Sequence, residues 1–169
     1  MPWIQNKTFA EIAVGDTASA RRTLRAGDLR AWAAAFGEAD PLSAAAGSQA
    51  AVGIVTALLT ALVGSDLPGT GSSIRTTSVE IHGALPLSAA LTTRLIVREK
   101  HTNRGIVILD GQCADATGQI FATATLEVLA PTTRQRNEFA EHRLEGLVEG
   151  CRNLPPMLTG VVHPCSAPS

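Results

Sequence analysis

The sequence predicts an α+β domain in which antiparallel strands wrap around one buried helix. The first observation behind this prediction is an apolar run between residues 50 and 64, which is apolar nearly all round. The second is a series of later segments in which apolar and polar residues alternate with the period of two that is typical of strands. A buried helix followed by such strands favours a sheet that covers the helix.

A short strand and a helix are predicted at the start of the chain. The segment from Thr17 to Leu24 predicts the strand. Four apolar residues after it recur at i, i+3, i+4 and i+7, which predicts a helix with one apolar stripe. They are Leu29, Trp32, Ala33 and Phe36. Asp28 lies in the first turn, where a negative charge suits the helix dipole.

The central helix is predicted from Val52 to Val63, because this run is long for a strand and has no polar face. Strands are predicted for four later segments: 74–81, 91–98, 105–113 and 119–129. The turn sequence from Asp115 to Gly118 predicts that the last two form a hairpin. In the last strand, five apolar residues are predicted to share one face. They are Ile120, Ala122, Ala124, Leu126 and Val128.

A sheet of this kind has free edges, and we expect them around Gly105 to Leu129. Pairing such edges across two subunits would cover them, which predicts a homodimer. After Pro131 the composition becomes more charged, and Thr132 to Asn153 predicts a surface helix. The expected organisation is therefore one domain over residues 1–131, followed by a helix and linker over 132–169.

Composition excludes some classes of function. The formal net charge is −1 in 169 residues, which argues against nucleic acid as a partner. We expect no membrane segment, because the longest apolar run is too short to span a bilayer. The three cysteines have no metal-ligand spacing and are odd in number, so we expect no metal and a reduced, cytoplasmic protein. We also expect no cofactor.

Several stretches resemble, in order, the MaoC-like (R)-specific enoyl-CoA hydratases, and together they cover about residues 4 to 132. Three come from the first part of the chain: 9–16, 23–29 and 36–41. The others are 67–71, 99–100, 115–118 and 128–132. The resemblance implies a hot-dog fold, an acyl-CoA thioester as ligand and hydration of an enoyl thioester as the reaction.

The last residues resemble a different protein. The stretches 154–156 and 161–165 look like the linker and first strand of a phosphate acetyl/butyryltransferase domain. In one subgroup that domain follows a MaoC-like domain. The resemblance implies that this chain corresponds to the N-terminal part of such a bifunctional protein.

Hydration of an enoyl thioester needs acid–base groups and hydrogen-bond donors for the thioester oxygen. The family supplies the first through a Gly-Asp-x-Asn-Pro-x-His motif and the second through a His-Gly pair at the central helix. Here Glu38 replaces the motif's Asp, Asp40 replaces its Asn and Ser43 replaces its His. Gly53 matches the Gly of the pair, whose His is replaced by Val52.

Each candidate has a plainer alternative. Glu38 and Asp40 also suit a solvated turn, and Gly53 also suits close helix packing. His82 is a distant substitute for the missing histidine, although a strand histidine is more often a packing or surface residue. Three hypotheses follow: an impaired enoyl-CoA hydratase, a non-catalytic dimerising hot-dog module, and a scaffold for a phosphate acyltransferase.

Overall fold

The computed structural model describes residues 3–36 and 49–138. Two helices and seven strands lie in these ranges, together with a 3-10 turn at Thr102–Arg104. The helices are α1 (Ala26–Phe36) and α2 (Gln49–Ser65). The strands are β1 (Trp3–Gln5), β2 (Thr17–Thr23), β3 (Ser73–Ile81), β4 (Ala90–His101), β5 (Ile106–Ala114), β6 (Ile120–Leu129) and β7 (Arg136–Glu138).

Five of the strands form one antiparallel sheet in the order β2-β4-β5-β6-β3. The short strands β1 and β7 pair separately. The sheet lies against the long helix α2, so the chain has the predicted α+β hot-dog fold. The predicted strands and the first two predicted helices are confirmed, and α2 begins three residues before the predicted Val52 because Gln49, Ala50 and Ala51 continue it.

The buried face of α2 packs against the inner face of the sheet. Its buried residues are Ala50, Ala51, Ile54, Val55, Leu59, Leu62 and Val63. Leu59 of α2 packs against Gly111 in β5, where an added Cβ would lie 2.7 Å from Leu59 Cδ2. A side chain at residue 111 would therefore force Leu59 to move.

The predicted hairpin between β5 and β6 is confirmed, but one face assignment in β6 is wrong. Asp115 organises the turn: its carboxylate accepts hydrogen bonds from the Thr117 hydroxyl, which contributes most to lowering its pKa, and from backbone N–H groups. The pairing shifts by one residue between Cys113 and Ala114. Ile120 is consequently 42% exposed, while its neighbour Phe121 is buried.

The expected position of the free edges is also wrong. β5 and β6, which contain residues 106–129, lie inside the sheet with a partner on each side. The edges are β2 and β3 instead. The periodicity of a single segment cannot reveal the strand order, because the order depends on which non-consecutive strands pair. β2 is exposed along nearly its whole length, so it presents one open edge.

The region after Pro131 begins differently from the prediction. Residues 132–135 are bends and coil, and β7 follows, so no helix begins at Thr132. The remainder of the predicted helix, including Leu144, Leu147 and Val148, lies outside the described residues. The compact unit that contains the sheet runs from Trp3 to Asn137, and the division at residue 131 stays a prediction.

Asn6 connects both ends of this unit to the loop after α2. Its side chain is only 2% exposed. Its amide nitrogen donates to the carbonyls of Thr70 at 2.8 Å and Thr133 at 3.0 Å. Its amide oxygen accepts from the Gln135 N–H at 2.7 Å. The side chain therefore satisfies three backbone groups that are far apart in the sequence.

Asn6→Ala should lower the free energy of unfolding by about 2–3 kcal/mol, because it leaves partly buried backbone groups without their hydrogen bonds. Chemical denaturation would measure the loss. Lys7→Ala is the matched control: its ammonium binds the Asp16 carboxylate at the surface, and its removal should change stability by less than about 1 kcal/mol. Equal effects of the two substitutions would contradict the role of Asn6.

Candidate functional site

An open groove lies between α1, α2 and the end of β2, with a volume of about 640 Å³. One face of α2 forms its apolar wall through Ile54, Ala57, Leu58 and Ala61. These residues are spaced at i, i+3, i+4 and i+7, so they form one stripe along the helix. Trp32 of α1 adds an aromatic ring to the lining. The apolar wall suits a hydrophobic chain.

The opposite side of the groove is polar and carries charge. Arg22, Thr23 and Arg25 line it at the junction of β2 and α1, together with Asp28. The Asp28 carboxylate accepts a hydrogen bond from the backbone N–H of Arg25 at 2.7 Å, and the Asp28 N–H donates to the Arg25 carbonyl at 2.9 Å. This reciprocal pair fixes the start of α1 and therefore the backbone position of Arg25.

Gly53 lies in the second turn of α2, where it contacts the Trp32 ring. An added Cβ would come within 3.0 Å of three atoms of that ring. Gly53 is also the fifth residue of α2, and from the fifth residue onward each helical N–H can bond the carbonyl four residues earlier. The geometry thus gives Gly53 a packing role. Its predicted role as a donor to a thioester oxygen stays a prediction.

The other predicted site residues lie outside the described residues. Glu38, Asp40 and Ser43 fall in the segment between the end of α1 at Phe36 and the start of α2 at Gln49. Both of these helices line the groove. The predicted acid–base roles of the three residues therefore stay predictions, and Gly53 is the one predicted site residue whose surroundings are visible.

His82, the distant substitute for the missing histidine, is placed elsewhere. Its Nε2 forms a hydrogen bond with the Thr123 hydroxyl at 2.7 Å. Thr123 lies between Ala122 and Ala124, which both face the core, so its side chain points to the other face of the sheet. His82 does not line the groove between the helices.

Other chemistry-bearing groups are absent from the groove within the described ranges. Cys113 is buried, and desolvation raises the pKa of its thiol to about 11, so it is a neutral thiol near neutral pH. Across residues 3–36 and 49–138, no three His, Cys, Asp or Glu side chains are grouped so that they could hold a metal ion. In the same ranges, no helix is both long and apolar enough to cross a membrane.

The groove was not predicted as a site, although part of the signal was in the sequence. Arg21 and Arg22 are neighbours in β2, and both are exposed. Alternation along β2 nevertheless separates them: Arg22 pairs with the core residue Leu91, so it lies on the inner side of the sheet. The apolar stripe that lines the groove belongs to α2, and this helix was predicted to be buried on all sides. That prediction left no exposed face of α2 for a binding site.

A pair of glycine substitutions in α2 tests the contact between Trp32 and Gly53. Gly53→Ala should lower the free energy of unfolding by about 1–3 kcal/mol, because the new methyl group displaces the ring. Gly64→Ala is the control: nothing lies within 4 Å of its Cβ position, so it should stabilise the protein by up to about 1 kcal/mol. Denaturation midpoints would measure both. Similar gains from both variants would contradict the packing.

Solved structures of several proteins are similar to this chain. The R-hydratase PhaJ1 from Pseudomonas aeruginosa, in the unliganded form, aligns with a TM-score of 0.72 and 24% identity, over 83% of this chain and 96% of its own. The (R)-hydratase from A. caviae involved in PHA biosynthesis has a TM-score of 0.63 and 20% identity, over 71% and 98% of the two chains.

The MaoC-like dehydratase from Rhodospirillum rubrum aligns with a TM-score of 0.54 and 22% identity, over 72% of this chain and 94% of its own. No protein-family model matches the sequence. No curated protein matches it either. The identities to these structures are all below 25%, so the similarity shows a shared fold: this chain has the hot-dog fold of MaoC-like (R)-hydratases and dehydratases.

Proposed function

We propose that this chain is a MaoC-like domain that binds acyl-CoA thioesters in the groove between α1, α2 and β2, and that it hydrates enoyl-CoA weakly or not at all. The groove is the observation that carries the proposal, because it combines an apolar wall with a polar, cationic side on a hydratase-like fold. An acyl-CoA thioester also has two such parts: a hydrophobic acyl chain and a charged carrier.

The wall of the groove suits the acyl chain. Ala57 and Ala61 leave space above α2, while Ile54 and Leu58 supply apolar contact area beside them. Burying the methylene groups of an acyl chain against such a surface is favourable by about 0.8 kcal/mol per group. The Trp32 ring extends this surface toward Gly53, the matched position of the family's oxyanion donor.

Impaired catalysis follows from the residues that replace the family's motif. A serine does not act as a general base near neutral pH without another base beside it, so Ser43 does not replace the histidine. Glu38 keeps a carboxylate but moves it by about one methylene group. A misplacement of about 1 Å can lower a rate on the order of a hundredfold.

The alternative function is a non-catalytic, dimerising hot-dog module, and the replacement of the motif's histidine by Ser43 is the observation that favours it. A scaffold for a phosphate acyltransferase is the more specific form of this alternative. It depends on the resemblance of residues 154–156 and 161–165, which lie outside the described residues. Turnover of an enoyl thioester separates the enzyme from both forms.

The combined substitution Glu38→Asp and Ser43→His tests the proposed chemistry. The unmodified chain should hydrate crotonyl-CoA very slowly, and the double variant should raise kcat/KM at least about a hundredfold, since each positioned acid–base group is worth roughly two to four powers of ten. The loss of enoyl absorbance measures the rate. Turnover typical of an efficient hydratase in the unmodified chain would contradict the argument from Ser43.

Binding of acyl-CoA is tested separately, because the unmodified chain and the double variant could both be inactive and still bind it. Ala57→Phe fills the groove and should weaken binding of butyryl-CoA, measured by titration calorimetry. Gly64→Phe places the same side chain on α2 outside the groove and should leave binding unchanged. If the unmodified chain binds no acyl-CoA, the proposed function is wrong.

We still expect a homodimer. The strands expected to pair across it are now β2 and β3, the edge strands of the sheet. Among the strands that the structure describes, β2 and β3 each have one unpaired side, and edge pairing of two copies would satisfy their backbone groups. Light scattering at micromolar concentration should give twice the mass of the chain. A monomer under those conditions would contradict the prediction.

A further inference from the structure

We propose that Arg22 and Arg25 bind the phosphate groups of the CoA carrier at the polar side of the groove, and so select CoA thioesters over thioesters without phosphates. This inference rests on the proposed function and adds the residues that recognise the carrier. It concerns affinity alone, and neither arginine is assigned a part in the reaction.

The two arginines come from adjoining elements and face the same space. Arg22 is the inward-facing residue near the end of β2, since its partner in β4 is the core residue Leu91. Arg25 follows two residues after β2 and immediately precedes α1. Both line the groove whose far wall is the apolar stripe of α2. A ligand lying across the groove therefore meets cations on one side and hydrocarbon on the other.

Neither guanidinium has an acidic partner among residues 3–36 and 49–138. The arginines that form ion pairs there are Arg75, Arg98 and Arg134. Asp28 is the one acid in the groove lining, and its carboxylate accepts the backbone N–H of Arg25 at the start of α1. The two guanidinium groups remain exposed and able to receive an anion.

Charge in this part of the chain differs from that of the whole protein. Residues 17–36 contain the four arginines 21, 22, 25 and 30 and one acid, Asp28, whereas the full chain has a net charge of −1. Of these, Arg22 and Arg25 line the groove together with the single acid Asp28, so its polar side carries more positive than negative charge. The complementary ligand is an amphiphile with several negative charges, and an acyl-CoA, with its diphosphate and 3′-phosphate, has that form.

Arginine suits this role because its planar guanidinium donates two parallel hydrogen bonds to one phosphate. Such bonds at an exposed site are weakened by solvent, so we expect each arginine to contribute about tenfold in affinity. Salt should screen the interaction, since the Debye length is about 10 Å at 0.1 M ionic strength.

The experiment compares butyryl-CoA with butyryl-pantetheine, which has the same acyl thioester and no phosphate. Binding of both is measured by titration calorimetry to the full chain, to Arg22→Gln with Arg25→Gln, and to the control Arg30→Gln. Arg30 is an exposed arginine of α1 that lies outside the groove lining, so the control removes one positive charge without changing the groove. Circular dichroism establishes that each variant is folded.

The double variant should lose about a hundredfold in affinity for butyryl-CoA, keep its affinity for butyryl-pantetheine, and make the CoA complex less sensitive to salt. Arg30→Gln should bind both ligands as the unmodified chain does. Equal binding of both ligands by the unmodified chain would overturn the role of the arginines and leave the proposed function standing. Binding of neither ligand would overturn both.

Discussion

The burial of α2 against the sheet is the interaction on which the rest of the structure depends. Val55 and Leu59 are completely buried, and each such side chain stabilises the fold by about 1.5–3 kcal/mol. Gly111 leaves room for Leu59, because any side chain there would contact it. With one face of the helix held on the sheet, the adjoining face forms a wall of the groove. The site thus follows from the same packing that builds the core.

Much of the fold could be predicted from the sequence because its strands and helices keep regular periods. The alternation in β4, from Leu91 to Val97, and the stripe in α1 are local patterns, and both elements occur where expected. Features that depend on strand pairing were harder to predict. The shift between Cys113 and Ala114 exposes Ile120, and the position of β5 and β6 inside the sheet depends on distant partners. Neither the register shift nor the strand order can be inferred from the periodicity of a single segment.

The site was less predictable than the fold, for a related reason. Trp32 was recognised as part of an apolar stripe and Gly53 as a candidate donor, and their contact joins two helices that are separated in the sequence. The groove is formed by three elements, α1, α2 and the end of β2. Within its own element, no single lining residue indicates a binding site. Family resemblance pointed instead to Glu38 and Ser43, whose identities in the sequence bear on the chemistry without locating a binding surface.

Binding and chemistry are separable in this arrangement. Contacts of the acyl chain with α2 and of phosphates with Arg22 and Arg25 would be made equally in the ground state and the transition state. Such uniform binding lowers the dissociation constant without lowering the barrier of the chemical step. The residues that lower the barrier must act at the reacting carbons, and that is the role proposed for the motif that contains Glu38 and Ser43. A motif without its histidine would therefore be compatible with a groove that selects an acyl-CoA, because affinity and rate would depend on different residues.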